Sequence, residues 1–216
     1  MEKSILYALS SVIAYLLGSI NFAIIITRVF YRKDIRSYGS GNAGMTNVLR
    51  NFGKLPAALT LIGDLGKGIA AILIARMLCP LIITDYVQGG VEYQVASYGA
   101  AFFALFGHIR PLFHGFKGGK GILTTAGVLI VLDPVIFLIL LGIFAIIVLI
   151  SRIVSLASII AAAAYPLWTV AMMIPGDPSQ IIVHAGFSSC IAAIIILMHR
   201  ENISRLLKGT EHKFGK

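Results

Sequence analysis

The chain has 216 residues, of which 58% are hydrophobic and only 12% charged, with a mean hydropathy of +0.91. Soluble domains run at about 45–50% apolar and about 25% charged, so the composition excludes an ordinary soluble domain and implies an integral membrane protein. Lys and Arg number 18 against 9 Asp and Glu; in a membrane protein that excess answers to the positive-inside rule and to anionic lipid headgroups, and it gives no reason to invoke nucleic acid.

The apolar residues fall in blocks too long for barrel strands, which predicts a helical bundle. Neither a linker nor an internal repeat divides it, so a single polytopic domain over 1–216 is expected, without the repeat signature of many transporters. The first span is predicted over Ser4–Val29 and has no small-residue cleavage site, so it reads as retained. Glu2 and Lys3 before it cancel, whereas Arg28, Arg32, Lys33 and Arg36 follow it. That asymmetry puts the N-terminus outside and the first loop in the cytoplasm. The loop carries the glycine-rich nest Gly39 to Gly44, and then a short helix over Met45–Arg50, capped by Asn42.

A second span is predicted over Leu55–Pro80. It contains Asp64 and Lys67, three apart on one helix face, read as an intramembrane ion pair with a proton relay as the alternative. Residues 81–94 hold Asp85 and Glu92 but no Lys or Arg, as an outer loop should. A third span over Val95–Ile109 returns to Arg110, Lys117 and Lys120. Then comes Phe116 to Gly121, a basic glycine-rich knot between two apolar stretches. Glycines in succession let backbone N–H groups converge on an anion. A helix N-terminus just after the knot favours negative charge as well. From Gly118 to Leu132 is only about 15 residues, roughly 22 Å against an apolar core of about 30 Å. This segment and Val135–Ile150 therefore read as a pair that includes a short helix, broken at Asp133 and Pro134. The remaining spans are Ile153–Ile174, ended by a turn at Pro175–Pro178, and Ile181–Met198. An amphipathic interfacial helix is expected from Asn202 onward. The fold class is thus an all-α integral membrane protein, a compact bundle of about seven transmembrane helices, some of them short, with the C-terminus cytoplasmic.

Four polar clusters converge on the cytoplasmic side: 39–50, 64–67, 107–125, and 155–202 at two span ends. In the first, Ser40, Gly41, Asn42, Thr46, Asn47 and Arg50 offer backbone, hydroxyl, amide and guanidinium donors for phosphate. In the knot, Lys117, Gly118, Gly119 and Lys120 form a second anion site, although either lysine alone reads equally well as a snorkelling anchor. The spacing of a Walker A loop is absent, so nucleotide hydrolysis is disfavoured. His108, His114, His184 and His199 lack the spacing of a zinc helix, and neither a metal nor a cofactor is expected. His199 opens a polar stretch at the end of the last span, where a neutral imidazole can take or orient a hydroxyl proton; the plain alternative is an interfacial histidine. Cys79 and Cys190 lie in apolar runs and read as buried free thiols. No serine sits in a nucleophile elbow, and no histidine begins the acid/base motif of soluble-donor acyltransferases.

Taken in order and at these spacings, the motifs resemble the bacterial acyl-phosphate:glycerol-3-phosphate acyltransferase family, PlsY. They comprise Leu17 to Ile20, Gly39 to Arg50, Asp64 with Lys67 and Gly68, Gly107 to Gly121, Val154 to Ser158, and His199 to Leu207. Asn21 stands where that family often has proline, Met45 where it usually has alanine, and Ile153 where an aromatic is common. The resemblance implies a seven-helix bacterial inner-membrane enzyme with its site facing the cytoplasm. It would move an acyl group from acyl phosphate to the 1-hydroxyl of glycerol 3-phosphate, giving lysophosphatidic acid and phosphate. It implies Ser40, Arg50, Lys120, Ser158, His199 and Asn202 as residues lining the site, with Lys120, Ser158, His199 and Asn202 on the catalytic side. Membrane lipids are the expected surroundings, and the chain is expected to act as a monomer. The alternative of another class is a small transporter or channel for an anionic solute.

Overall fold

In a computed structural model of the chain, residues 1–173 and 178–213 are described. They form helices and no strands. In order these are α1 (Glu2–Ser19), α2 (Phe22–Tyr31), α3 (Met45–Phe52), α4 (Lys54–Ile82), α5 (Val91–Ile109), α6 (Ile122–Leu132), α7 (Pro134–Ser151), α8 (Val154–Met173), α9 (Pro178–Met198) and α10 (Arg200–Leu207). The expected turn at Pro175–Pro178 lies largely outside the described residues. Among those described, five helical stretches are long and apolar enough to cross a membrane: Glu2–Tyr31, Lys54–Ile82, Pro134–Ser151, Val154–Met173 and Ile181–Met198. α6 is apolar but only 11 residues long. α5 is not among the five; Glu92, Gln94, Ser97 and His108 dilute its hydropathy.

The first span departs from a single helix. It breaks between α1 and α2, where the Asn21 side chain accepts from the Ile24 amide at 3.1 Å and caps α2. Asparagine is a strong N-cap because its side-chain oxygen replaces a missing helical acceptor. The break also releases the Ile20 carbonyl from the helical ladder, and Lys67 takes it up. Asn42, by contrast, does not cap α3. The N-cap is Gly44, without a side-chain cap, and the Asn42 carbonyl instead accepts from the Gly44 amide at 3.0 Å.

The chain folds as two compact units, Met1–Leu132 and a second beginning at Asp133. In the first, α1 packs along α5 and α4 along α6. Both pairs approach through glycine. A methyl group on Gly18 would collide with the Ala104 carbonyl, and one on Gly107 with that of Tyr15; Gly68 and Gly127 meet Thr124 and Leu65 in the same way. In lipid there is no hydrophobic drive between helices, so small residues that allow close van der Waals contact decide which helices pair. In the second unit α8 packs against both α7 and α9, and α10 touches the ends of α8 and α9. Pro134 opens α7 in the first turn, where its missing N–H has no helical partner to lose. Cys79 is buried, but Cys190 is exposed on apolar α9, where a membrane protein meets lipid.

Candidate active site

The loop between α2 and α3 is built around Asn47, in the first turn of α3. Its amide nitrogen faces the carbonyls of Ile35, Tyr38 and Asn42 at 3.3, 2.9 and 3.0 Å. Its amide oxygen accepts from the Ser40 backbone at 3.2 Å and from Asn51 at 3.0 Å. Every polar atom of this buried side chain is thus committed to the loop. The structure therefore corrects the expectation for Asn47: it shapes the loop between α2 and α3 and has its donors taken up by that loop's carbonyls. Gly39 and Gly41 turn the loop with φ of +54° and +70°, a region that costs other residues strain. Underneath lies an apolar floor of Ala23, Ile24, Ile35, Ala43 and Val48. Ser40 and Arg50 stay exposed, and Asn42 and Thr46 are half-buried.

The knot follows a different logic from the one its glycines suggest. The Gly118 amide donates to the Ile109 carbonyl at 3.1 Å and the Gly119 amide to that of His108 at 3.2 Å. Neither glycine has positive φ, whereas Gly115 and Gly121 do, at +65° and +85°. A side chain on Gly118 would collide with the His108 carbonyl, and one on Gly119 with the His108 ring. These two glycines are required for close packing on the end of α5, and their N–H groups close that helix instead of forming an anion nest. What the segment presents is the start of α6 at Ile122, whose first amides lie outside the helical ladder. Half-buried Lys120 sits immediately before it and exposed Lys117 nearby.

The two glycine-rich segments are clipped together by Arg36. Its guanidinium donates to the His114 and Lys117 carbonyls at 2.7 and 3.2 Å across the gap. The remaining edge holds Asp34 through two bonds of 3.0 and 2.8 Å, a fork that fits a carboxylate. Arg28 adds a third at 2.7 Å. Hydrogen bonds from Arg36 lead the effects that hold the Asp34 carboxyl well below the usual carboxylate range, against partial burial. A cavity of about 580 Å³ opens between the segments, and its lining includes Asp34, Arg36, Gly41, His114, Lys117 and Gly118. Gly119 also packs directly on the first loop: a methyl group there would lie 2.5 Å from the Ala43 carbonyl.

Beneath this platform lies a buried polar cluster. The Lys67 ammonium reaches Asp64 at 2.8 Å, His108 Nδ1 at 2.8 Å and the Ile20 carbonyl at 2.7 Å. All three side chains are almost wholly buried. The ion pair read from the sequence is present, with a third member the sequence did not pair to it. An ammonium only donates, so His108 Nδ1 accepts and the ring hydrogen lies on Nε2, the edge facing Gly119.

In the second unit His199 sits between α9 and α10 and is buried. Its Nδ1 donates to the Ile195 carbonyl at 2.8 Å. A carbonyl only accepts, so Nδ1 carries a ring hydrogen in this contact. Asn202, also buried, donates to Glu211 at 2.8 Å. The Ser158 hydroxyl donates to the Val154 carbonyl at 3.0 Å, which leaves its oxygen as an acceptor. Ser40, Gly41, Asn42, Thr46, Arg50, Lys117 and Lys120 thus belong to the first unit, and Ser158, His199 and Asn202 to the second. Arg36, His108 and Glu211 were not singled out in the sequence as site residues.

The sequence model of a family described as glycerol-3-phosphate acyltransferase matches residues 8–209. A glycerol-3-phosphate acyltransferase of Jannaschia sp. is 43% identical, covering 99% of this chain and 96% of the relative. Another of Clostridioides difficile is 38% identical, over 97% and 96% of the two chains. The crystal structure of PlsY, an integral membrane glycerol 3-phosphate acyltransferase, in its glycerol 3-phosphate form superposes with a TM-score of 0.81 and 36% identity. That similarity covers 97% of this chain and 96% of the other. Its lysophosphatidic acid form gives a TM-score of 0.78 at 35% identity, covering 97% and 95%.

Proposed function

Because this chain belongs to the glycerol-3-phosphate acyltransferase family, we propose that it takes the acyl group from an acyl phosphate and passes it directly to the 1-hydroxyl of glycerol 3-phosphate. The products are lysophosphatidic acid and inorganic phosphate. The observation that carries this reading is the Arg36 clip, which holds two basic glycine-rich segments on opposite sides of one cleft. A reaction between two phosphate-bearing substrates needs two anions kept close without mutual repulsion. Two cationic segments fixed against each other suit that need.

An acyl phosphate is a mixed anhydride and already activated. The substrate hydroxyl oxygen attacks the carbonyl carbon, the bond from that carbon to the phosphate oxygen breaks, and phosphate departs. No protein nucleophile is required. Ser40, Gly41, Asn42, Thr46, Arg50 and Lys117 serve phosphate binding, on the platform made by Asn47, Gly118 and Gly119. Lys120 stabilises charge on the leaving phosphate. Neutral His199 orients the attacking hydroxyl, Asn202 and Ser158 assist it, and a substrate phosphate takes the proton. The whole chain, 1–216, acts as one monomeric acyltransferase without a cofactor in the bacterial inner membrane, with the reaction on its cytoplasmic side.

The test is conversion of radiolabelled glycerol 3-phosphate by purified protein in detergent. With palmitoyl phosphate as donor, label should enter lysophosphatidic acid with one phosphate released per acyl group transferred. Conversion with palmitoyl-coenzyme A but not with palmitoyl phosphate would contradict the assigned donor.

A further inference from the structure

Lys67 sits where three elements of the first unit meet. In an unbroken helix the Ile20 carbonyl would accept from the Ile24 amide, but the Asn21 side chain has taken that amide at 3.1 Å. The carbonyl is left without its helical partner, and the Lys67 ammonium donates to it at 2.7 Å. The same ammonium meets His108 Nδ1, in the last turn of α5, at 2.8 Å and Asp64 of its own helix at 2.8 Å. An ammonium has three hydrogens and no lone pair, and three acceptors lie around this one. The Lys67 side chain is 2% exposed, so its charge depends on these contacts. The space at Gly119 is closed by the His108 ring and by the Ala43 carbonyl of the first loop; a methyl group there would collide with both. The Ala43 carbonyl in turn accepts from Asn21 Nδ2 at 3.4 Å, one residue past the carbonyl that Lys67 holds. Both walls around Gly119 thus lead back to Lys67.

We propose that Lys67 is a positioning residue for the acyl transfer: by holding the Ile20 carbonyl and the His108 ring together, it seats Gly119 against the first loop and so fixes Lys120, the next residue. The inference rests on the reading of Lys120 as a catalytic residue. Arg36 ties the two glycine-rich segments at the cleft; Lys67 ties their bases inside the unit. A side-chain amide offers two hydrogens, too few for this junction, whereas an ammonium offers three. Asp64 supplies the opposite charge that makes an ammonium tolerable in so buried a place.

The experiment compares full-length Lys67→Met, Asp64→Asn/Lys67→Met, Lys120→Ala and the triple variant Asp64→Asn/Lys67→Met/Lys120→Ala in detergent. Rates with palmitoyl phosphate and glycerol 3-phosphate are measured across pH, and thermal unfolding is followed alongside. Lys67→Met strands a buried carboxylate and should unfold at a markedly lower temperature. Removing both charges should bring the unfolding temperature back near that of the parent, because a buried ion pair contributes little net stability. The rate should not return with it. The kcat of the neutral pair should stay about tenfold to a hundredfold below the parent, the order expected when a reacting group is misplaced, with little change in KM. Its pH profile should keep the parent's shape, since Lys67 holds groups and passes no proton. Adding Lys120→Ala should make the triple variant no slower than Lys120→Ala alone, because Lys67 acts through Lys120. A folded neutral pair at full rate beside a slow Lys120→Ala overturns the positioning role only. So does an additive loss in the triple variant, and a lost limb of the pH profile would make the cluster a proton relay instead. If the neutral pair does not fold, His108→Phe decides. It keeps a ring beside Gly119 but gives Lys67 nothing to hold, so it should be slow, and a full rate overturns the proposal. Full activity in Lys120→Ala would remove Lys120 from the site, and the positioning role with it.

Discussion

Lys120 is placed differently from its neighbour Lys117. It is half-buried at the start of α6, where unpaired helical amides and its ammonium reinforce each other, while Lys117 is exposed. Lys120→Ala should therefore lower turnover by about a hundredfold or more, the range for loss of a preorganised charge-stabilising group, in a protein that still folds. Lys120→Arg should not restore it, because a planar guanidinium does not replace a compact ammonium. Substantial activity in Lys120→Ala, measured as phosphate release, would refute the assignment. At this scale the sequence names donors but not their partners. Asn47 was legible as a polar donor on the short helix, yet its hydrogen-bonding capacity goes to the preceding loop and to Asn51. His108 stood in the 107–125 cluster but was not paired with Lys67, 41 residues away, and the partner that ties Glu211 to another helix, Ser155, is 56 residues away.

Helices and loops were read with uneven success. α6 ends where the sequence pattern ends, because Gly121 and the Asp133–Pro134 pair are strong punctuation on either side of an apolar run. The break of the first span at Ile20–Asn21 was not legible, since one asparagine inside a hydrophobic stretch leaves the periodicity intact. The knot was recognised as special, and Gly121 does take positive φ, but Gly118 and Gly119 do not and are there for contact with α5. That distinction is testable. Gly119→Ala pushes a methyl group into the ring of His108, which Lys67 holds in place, and against the Ala43 backbone. It should destabilise the fold by about 1–3 kcal/mol, as overpacking does, and reduce activity with it. Gly142→Ala on α7 meets nothing within 4 Å and should be neutral in the same thermal unfolding assay. Equal stability of the two variants would show that the knot does not need close packing on α5.

For the whole molecule, membrane residence follows from composition and from the five apolar stretches. Orientation rests on charge alone. Arg28, Arg32, Lys33 and Arg36 follow the first span, and residues 81–94 lack any Lys or Arg. With Cys190 replaced, cysteines introduced at Ser37, Gly115 and Lys213 should react with an impermeant thiol reagent only from the cytoplasmic side. One at Gln88 should react only from outside. All four positions are exposed, so accessibility does not confound the labelling. Labelling of Gly115 from outside would overturn the orientation and the cytoplasmic site together.

Direct transfer is the central claim, and it requires both substrates on the enzyme at once. A one-anion enzyme would have to hold the acyl group covalently between substrates. Cys79 is buried in α4, Cys190 faces outward from α9, and the Ser158 hydroxyl is bonded to its own helix. None of these is paired as an activated nucleophile. Initial rates over a grid of acyl phosphate and glycerol 3-phosphate concentrations test the claim most directly. Direct transfer gives intersecting double-reciprocal lines. Parallel lines, together with a mass increase of one acyl chain on enzyme exposed to donor alone, would contradict it and make Ser40 or Ser158 the nucleophile to examine.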